Sequence, residues 1–562
     1  MNTEVLGIIV MFTLSILLAI PLGKYIARVY GGEKTLLDPV FNPVERFFYK
    51  ISGIKPQTEM NWKQHMVALL TINMIWFLLG MLILMTQGNL PLNPDKNASM
   101  SADLAFNTVI SFVVNCNLQH YSGESGLSYL GQYWLMFLQF VSAGTGMAAA
   151  VVVFRAFRDK SATSLGNFYN YFVKSCTRVL LPISFVVAII LAFEGTPMTF
   201  EGKDTITTLQ GDNIEVSRGP AAAFVPIKHV GTNGGGFFGV NSAHPFENPS
   251  YLSNMVEMIA QLLVPMAMIF AFGYFIRRRK LSWMIFGVMT VGFLMLAVPS
   301  INMEMNGNPA IAAMGIDNSL GAMEGKEVRV GAPASGFWSI VTTVISTGSV
   351  NSMHDSSMPL SGMNELLAMM INSFYGGVGV GILNFFVFII LAVFISGLMV
   401  GRTPEFLGKK VEAREMKIAM IIALLHPFLI LVGTALAAAL PQYTMDSLNN
   451  PGFHGLSEML YEYTSSSANN GSGFEGLGDN TIWWNISTGF VLILSRFLPI
   501  IGPVAIAGLL AEKKFIPEGE GTLKTDTSTF GLMVFAVIAI VAALAFFPVL
   551  ALGPIAEYFS LY

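Results

Sequence analysis

The sequence predicts an all-α polytopic membrane protein with ten transmembrane helices, and three observations carry that prediction. Of 562 residues, 53% are hydrophobic and only 12% charged, with a mean hydropathy of +0.60, so a water-facing surface cannot be built from this chain. Ten apolar runs reach the ~20 residues needed to cross about 30 Å of hydrocarbon; they centre near residues 16, 76, 143, 183, 266, 290, 388, 430, 495 and 541. Between them, four polar clusters recur at a nearly constant period. The net charge of −4 leaves no basic excess, so the chain is not a nucleic-acid binder. Its two cysteines, Cys116 and Cys176, exclude a disulfide scaffold and a Cys-rich metal site, and Cys176 reads as a small apolar residue.

Orientation follows from the basic residues. With the N-terminus outside, the inner loops hold seven Lys and Arg from Lys24 to Lys63, five from Arg155 to Arg178 and four from Arg277 to Lys280. Five more lie from Arg402 to Lys417 and three from Lys513 to Lys524, which makes 24 of 31. Such a bias marks the cytoplasmic side, and an even number of spans then puts both termini outside. The opening run MNTEVLGIIV has no basic n-region, and no small-residue cleavage site follows it, so it reads as a retained first helix.

The four clusters lie in outer segments. They read AFNTVISFVVNCNLQHYSGE from Ala105, AAFVPIKHVGTNGGGFFGVNS from Ala222, GFWSIVTTVISTGSVNSMHDS from Gly336 and MLYEYTSSSANNGSGFEG from Met459. Aligned on Asn117, Gly234, Gly348 and Gly471, they are 117, 114 and 123 residues apart, and an aromatic residue (Phe106, Phe224, Phe337 or Tyr461) precedes each anchor. Each has an apolar span before and after it, so the unit is helix, short re-entrant helix, polar turn, helix. The first and tenth spans are left over. About ten helical residues rise roughly 15 Å, half a bilayer, so each short helix enters the membrane without crossing it. Non-helical backbone at that depth is tolerated where it is buried in protein or lines a watery cavity. Gly, and next to it Asn, reaches left-handed conformations at least cost. Four such turns converging on one axis would replace the hydration shell of a monovalent cation with carbonyl oxygens, with Thr232, Thr347, Asn469 and Asn470 adding oxygens or holding the strands. The competing reading of any one cluster is an exposed loop; four at one period, each after a short apolar helix, favour the re-entrant one.

These stretches also carry a resemblance. TNGGGFFGVNSAHPFENP from Thr232, STGSVNSMHDSSMPLSGMNE from Ser346, SSANNGSGFEGL from Ser466 and VGRTPEFLGKK from Val400 resemble the signature stretches of the potassium-binding A subunits of bacterial Kdp pumps, within the superfamily of K+ transporters. The resemblance spans essentially the whole chain. It implies four helix–pore helix–filter–helix repeats forming a pseudo-tetrameric, K+-channel-like pore plus two extra helices. On this reading residues 1–62 hold the first extra helix and a cytoplasmic loop. Pore repeats occupy 63–160, 161–280, 281–415 (with a broken inner helix) and 416–514, and 515–562 hold the last extra helix.

Carried over by position, the resemblance implies filter residues Asn115, Cys116 and Asn117; Thr232, Asn233 and Gly234; Ser346, Thr347 and Gly348; and Asn469, Asn470 and Gly471. Gln119, just beyond the first strand, matches a family position implicated in ion binding. The first strand departs from the usual pattern, with Cys116 and Leu118 where Thr and Trp are expected; backbone carbonyls survive those changes. The cargo is K+. The implied partners are a P-type ATPase catalytic subunit, a small single-span C subunit and a short accessory F peptide, in the lipid of a bacterial plasma (inner) membrane. The alternative within the superfamily is a stand-alone, gradient-driven channel or transporter.

The chain lacks the means to hydrolyse ATP itself. Every Gly-Lys pair (Lys24, Lys203, Lys326, Lys409) is followed by a residue other than Ser or Thr, so no phosphate-binding loop exists, and there is no DKTG sequence. Nor is there an H-E-x-x-H motif among the seven scattered histidines. An intramembrane enzyme would need a nucleophile–base or metal pair within the spans, and none is visible.

Two features below the clusters suggest gates. From Met363 to Val400 the apolar stretch would rise about 57 Å as one helix, where about 30–45 Å suffices. Gly376, Gly377, Gly379 and Gly381 fall in its first half. This predicts a broken helix with an intramembrane glycine loop; the alternative is a tilted helix with glycines for close packing. Arg496 lies mid-span, where a charge needs a wet cavity or a partner: either a fixed cation under the filter, or an Arg paired to a carboxylate or snorkelling. Arg402, at an inner helix end, reads as a topology and docking charge on the pathway side. Glu257 and Glu365 either attract cations near the outer helix ends or are solvated carboxylates. His120, His244 and His354 read as structural hydrogen-bonders.

Overall fold

The computed structural model describes residues 3–517, 519 and 523–561. Among them ten helices are long and apolar enough to cross a membrane, one for each apolar run of the sequence. The first five spans are Thr3–Gly31, Trp62–Asn89, Tyr129–Arg158, Phe168–Glu194 and Tyr251–Phe275. The remaining five are Arg279–Ala313, Val380–Met399, Ala413–Ala439, Ile482–Ala511 and Ser528–Ser560. Local chemistry sets many of their starts. Asn61 and Ser250 open the second and fifth spans with reciprocal capping boxes, and Ser128, Thr481 and Thr527 accept the first free N–H groups of the third, ninth and tenth.

Packing separates an inner set of helices from a rim. The most apolar window of the third span is 89% buried and that of the fifth 78%, against 22% for the first and tenth, whose apolar faces stand open as lipid-facing surfaces do. Four short helices fill the centre: Ala102–Val113, Ala221–Val230, Ala332–Val344 and Phe453–Ala468. At 12, 10, 13 and 16 residues they rise roughly 15–24 Å, too little to cross, and most of their side chains are buried.

The long apolar stretch of the third repeat is two helices, Pro359–Ile371 and Val380–Val400. Between them Asn372, Tyr375, Gly376 and Gly379 take left-handed φ angles of 45°, 61°, 63° and 78°. Side chains satisfy the freed backbone: Asn384 Nδ2 donates to Asn372 O at 2.9 Å, and Val378 N donates to Thr232 Oγ1 at 2.9 Å. The loop lies hard against the third span, where a Cβ on Gly379 would fall 2.3 Å from the Gly146 backbone.

Three elements have no counterpart in the sequence reading. Asp38–Ile51 is an amphipathic helix, tied down where Arg178 donates to Glu45 (2.5 and 2.7 Å), Asp38 (2.5 Å) and Asn42 (2.7 Å). Its other face leaves Phe47, Phe48 and Ile51 exposed, the arrangement of a helix lying in a membrane interface. A two-stranded hairpin, Asp204–Thr207 with Asn213–Val216, decorates the segment before the second pore helix, and a shorter one pairs Glu405–Phe406 with Lys409–Lys410.

The break between the two helices of the third repeat depends on Gly381, whose added Cβ would fall 1.8 Å from Tyr375 O. Gly381→Ala is expected to destabilise the protein by ~1–3 kcal/mol. Gly287→Ala, on a helix face with nothing within 4 Å, should leave stability unchanged or slightly raised. Thermal unfolding in detergent compares the two.

Candidate functional site

Each short helix runs into a strand of the same construction. The first strand residue is left-handed in all four repeats: Asn115 (φ 63°), Thr232 (46°), Ser346 (52°) and Asn469 (50°). The third is left-handed too: Asn117 (57°), Gly234 (78°), Gly348 (85°) and Gly471 (105°). The middle residues, Cys116, Asn233, Thr347 and Asn470, are not. Such alternation turns successive carbonyls to the same side of the strand.

Hydrogen bonds decide which side. The middle N–H groups donate back into the preceding helix: Cys116 to Ser111 O, Asn233 to Lys228 O, Thr347 to Thr342 O and Asn470 to Ser465 O, all at 2.9 Å. The third N–H groups follow, Asn117 to Ser111 O (3.2 Å) and Gly234 to Lys228 O (3.1 Å), with Gly348 and Gly471 bonding the Thr342 and Ser465 hydroxyls at 2.9 and 3.0 Å. Donors therefore face outward. No donor among the described residues reaches the carbonyl oxygens of Cys116, Asn233, Thr347 or Asn470, although all four residues are fully buried. Buried carbonyls are ordinarily paired, so four unclaimed ones at equivalent positions mark a place built for something else.

The strands close into a ring in chain order. A Cβ on Gly234 would fall 1.8 Å from Thr347 O, one on Gly348 2.2 Å from Asn470 O, and one on Gly471 2.0 Å from Cys116 O. At the remaining junction the first strand has Asn in place of Gly, and amide side chains make the contact. Asn117 Nδ2 donates to Gly234 O (2.8 Å), Asn115 Nδ2 to Thr232 O (2.9 Å), and Asn233 Nδ2 to Asn115 Oδ1 (2.5 Å). Gln119 grips Gly236 from both sides, accepting from its N–H at 2.7 Å and donating to its carbonyl at 3.1 Å. Cys116 and Leu118 turn away from the ring into an apolar cluster with Ile110, Val114 and Leu492.

Buried charges brace the ring from behind. Lys228 and Glu247, both fully buried, form an ion pair, and Glu247 also accepts from Phe238 N at 2.9 Å. His120 contacts Asn485 (2.7 Å) and Glu462 (3.1 Å), and His354 contacts Tyr461 (2.8 Å). At His120 burial opposes the imidazolium, yet Asp479 and Glu462 outweigh it and push the group up to about 9. His244 stacks on Phe238 and accepts from Phe246 N. Glu257 and Glu365 are fully buried, not solvated: Ser242 and Ser357 donate to them, and His229 and His354 face them at 3.5 Å. Thr347 Oγ1 is buried without a partner.

A cavity of about 70 Å³, room for several waters, lies at the start of the strands, with Ser346, Asn469, Gly377 and Arg496 on its walls. Gly377 sits under the ring, within 4 Å of Thr232 Oγ1 and Ile345 O if given a Cβ. Arg496 is buried, and among the described residues its Nη2 has no hydrogen-bond partner and no carboxylate pairs with it. The cavity extends between Phe388, Ile422, Pro427 and Ile538 of the seventh, eighth and tenth spans. Gly376 and Gly379 shape the loop without lining the cavity, and Arg402 is exposed at the end of its helix, apart from it. Sequence reasoning missed the Thr232–Val378 tether, and it missed Asn372, Asn384 and His426 on the cavity wall. A polar residue inside an apolar span is the signal that could have found Asn384 and His426.

A model of the potassium-transporting ATPase A subunit family, KdpA, matches residues 9–559. This chain belongs to the KdpA family. Proteins named potassium-transporting ATPase potassium-binding subunit are 70% identical in Flavobacterium johnsoniae and 63% in Phocaeicola vulgatus, each over all of both chains. The one from Geobacillus kaustophilus is 48% identical over 98% of both. The chain shares its fold with the potassium transporter TrkH from Vibrio parahaemolyticus, at 13% identity and a TM-score of 0.52 over 89% of this chain and 98% of that one.

Removing one partner of the Lys228–Glu247 pair leaves a buried charge alone. Lys228→Met is expected to cost ~3–5 kcal/mol of stability, and Lys228→Met with Glu247→Leu to recover most of it. Melting temperatures of the single and double variants measure the difference.

Proposed function

We propose that this chain is the potassium-binding subunit of a potassium-transporting ATPase and that its four-strand ring is the selectivity filter. The observation that carries the reading is the set of four buried carbonyls, one per repeat, that no protein donor reaches. Oxygen dipoles in such a ring replace the water of a dehydrated K+, and being uncharged they hold the ion without trapping it. In this reading Asn115, Asn117 and Gln119 are clamps that set the spacing between the first two strands. Cys116, with its side chain turned into the apolar cluster, contributes only its carbonyl.

Below the ring, the loop tethered to Thr232 and the unpaired Arg496 oppose direct passage. A fixed cation in a low-dielectric cavity repels K+ strongly. The ion is then diverted along the cavity toward the seventh, eighth and tenth spans, where the ATPase subunit would receive it. No phosphate-binding motif is present, so the energy comes from that partner. A single-span C subunit and a short F peptide complete the assembly by family resemblance. The 24 basic residues assigned to the inner loops support a plasma-membrane topology with both termini outside and the filter open outward. The four pore units at 63–160, 161–280, 281–415 and 416–514 each supply one strand.

Gly234→Asp drives a charged side chain against Thr347 O. It should weaken K+ affinity at least tenfold, a loss of ~1.4 kcal/mol or more, in K+-stimulated ATP hydrolysis by the purified complex; unchanged affinity would remove the ring from the ion path. Arg496→Glu is expected to change turnover more than apparent K+ affinity, and no effect on either returns Arg496 to a packing role. Steady K+ flux through this chain alone in liposomes, without ATP, would favour the stand-alone channel over the pump subunit.

A further inference from the structure

At the mouth beyond the fourth strand, on the opposite side of the ring from the cavity, three side chains from two repeats converge. His454 and Glu458 lie one turn apart in the first turns of the helix Phe453–Ala468, a spacing that puts both on one face. Asp355 comes from the segment after the third strand, and its Oδ1 lies 2.9 Å from His454 Nε2. One nitrogen of His454 and one carboxylate oxygen each from Asp355 and Glu458 all fall within 4.8 Å of one another.

The surroundings are those of a metal ligand set. His454 Nδ1 is held by Glu557 at 2.8 Å, from the final helix, which leaves Nε2 turned toward the two carboxylates. A carboxylate on the far ring nitrogen is the usual device for orienting a ligating imidazole and raising its basicity. Glu458 is fully buried, yet its Oε2 has no hydrogen-bond partner, while Oε1 accepts from Asn450 at 2.7 Å. Three carboxylates surround one imidazole, and no lysine or arginine among the described residues pairs with any of them. Even with His454 protonated, the cluster keeps a surplus of negative charge. It borders a cavity of about 280 Å³, and His454 and Glu557 are 19% and 21% exposed, so an ion can enter from solvent.

We propose that His454 Nε2, Asp355 and Glu458 form a binding site for a divalent transition metal of the zinc class, with Glu557 as the positioning residue. The nitrogen ligand discriminates against K+, Mg2+ and Ca2+, which prefer all-oxygen shells. Zinc bonds of about 2.0–2.2 Å hold tetrahedral ligands roughly 3.4 Å apart, so His454 Nε2 and Asp355 Oδ1, now 2.9 Å apart, part slightly while Glu458, within 4.8 Å of both, adjusts to the same spacing, with water as the fourth ligand. On binding, the proton shared between His454 Nε2 and Asp355 leaves to solvent and the ion takes its place. The bound ion would staple the fourth pore helix to the segment following the third strand, and through Glu557 to the last helix.

The test is metal content. The purified ATPase complex is incubated with a small excess of zinc, desalted, and its zinc counted by mass spectrometry, with monodisperse elution as the check on folding. About one zinc per chain is expected in the wild type and in His120→Gln. That zinc should be lost in His454→Gln and in Glu458→Gln, while Glu557→Gln should bind about tenfold more weakly. Zinc absent from the wild type, or equal in the wild type and both ligand variants, overturns the site. Should the ligand variants fail to assemble, X-ray absorption of the zinc-loaded wild type decides. A first shell of light N/O ligands with the outer-shell scattering of one imidazole supports the assignment, and a spectrum without imidazole scattering rejects it.

Discussion

The fold is organised around one constraint: irregular backbone placed at the centre of a membrane protein must still account for every N–H and C=O. Each of the four strands meets half of that demand locally, by returning two N–H groups to the helix it has just left. The strand can do this only by leaving the helical path in a left-handed step, and that step turns the carbonyls toward the common axis. The short helices, the glycines and the ring order all follow from satisfying donors while leaving acceptors open. Charge plays a supporting part, since the buried pair Lys228–Glu247 and the His120 contacts lie behind the strands and hold their helices in place.

Much of this was legible in the sequence because repetition amplifies weak signals. One Gly- and Asn-rich cluster is ambiguous, but four at a common period after short apolar helices are not, and hydropathy located all ten spans. The tertiary contacts were not legible. Gln119 and Gly236 are 117 positions apart, and nothing local in either says that one grips the other. Likewise, the tether from Thr232 to Val378 joins two different repeats. The solvated alternative for Glu257 and Glu365 fails for a related reason: a carboxylate near a predicted helix end is usually wet, and only the packed structure reveals the serine and histidine that enclose each one. The amphipathic helix Asp38–Ile51 escaped because it is too short and too mixed in composition to register as a span.

The departures from fourfold symmetry are as informative as the symmetry. Three repeats use glycine at the third strand position and pack it against the neighbouring carbonyl; the first uses Asn117 and replaces bare backbone contact with a lattice of amides. Only the third repeat breaks its inner helix, and the break falls where its loop can reach the second strand. A perfectly symmetric pore would treat every direction below the ring alike. One unpaired arginine and one broken helix give the cavity a preferred side.

The close approach of each glycine to the next strand's carbonyl reaches beyond the present structure to its descent. Four copies within one chain are free to diverge, as the differing clusters here have done. At the third strand position that freedom is limited by the neighbour, because any side chain there must be accommodated by a strand of another repeat, as Gly234 meets Thr347, Gly348 meets Asn470 and Gly471 meets Cys116. Drift at one copy therefore selects for adjustment in the adjoining copy, so substitutions around the ring should accumulate as matched sets across repeat boundaries. The duplicated units ceased to be separate objects for selection once their backbones touched.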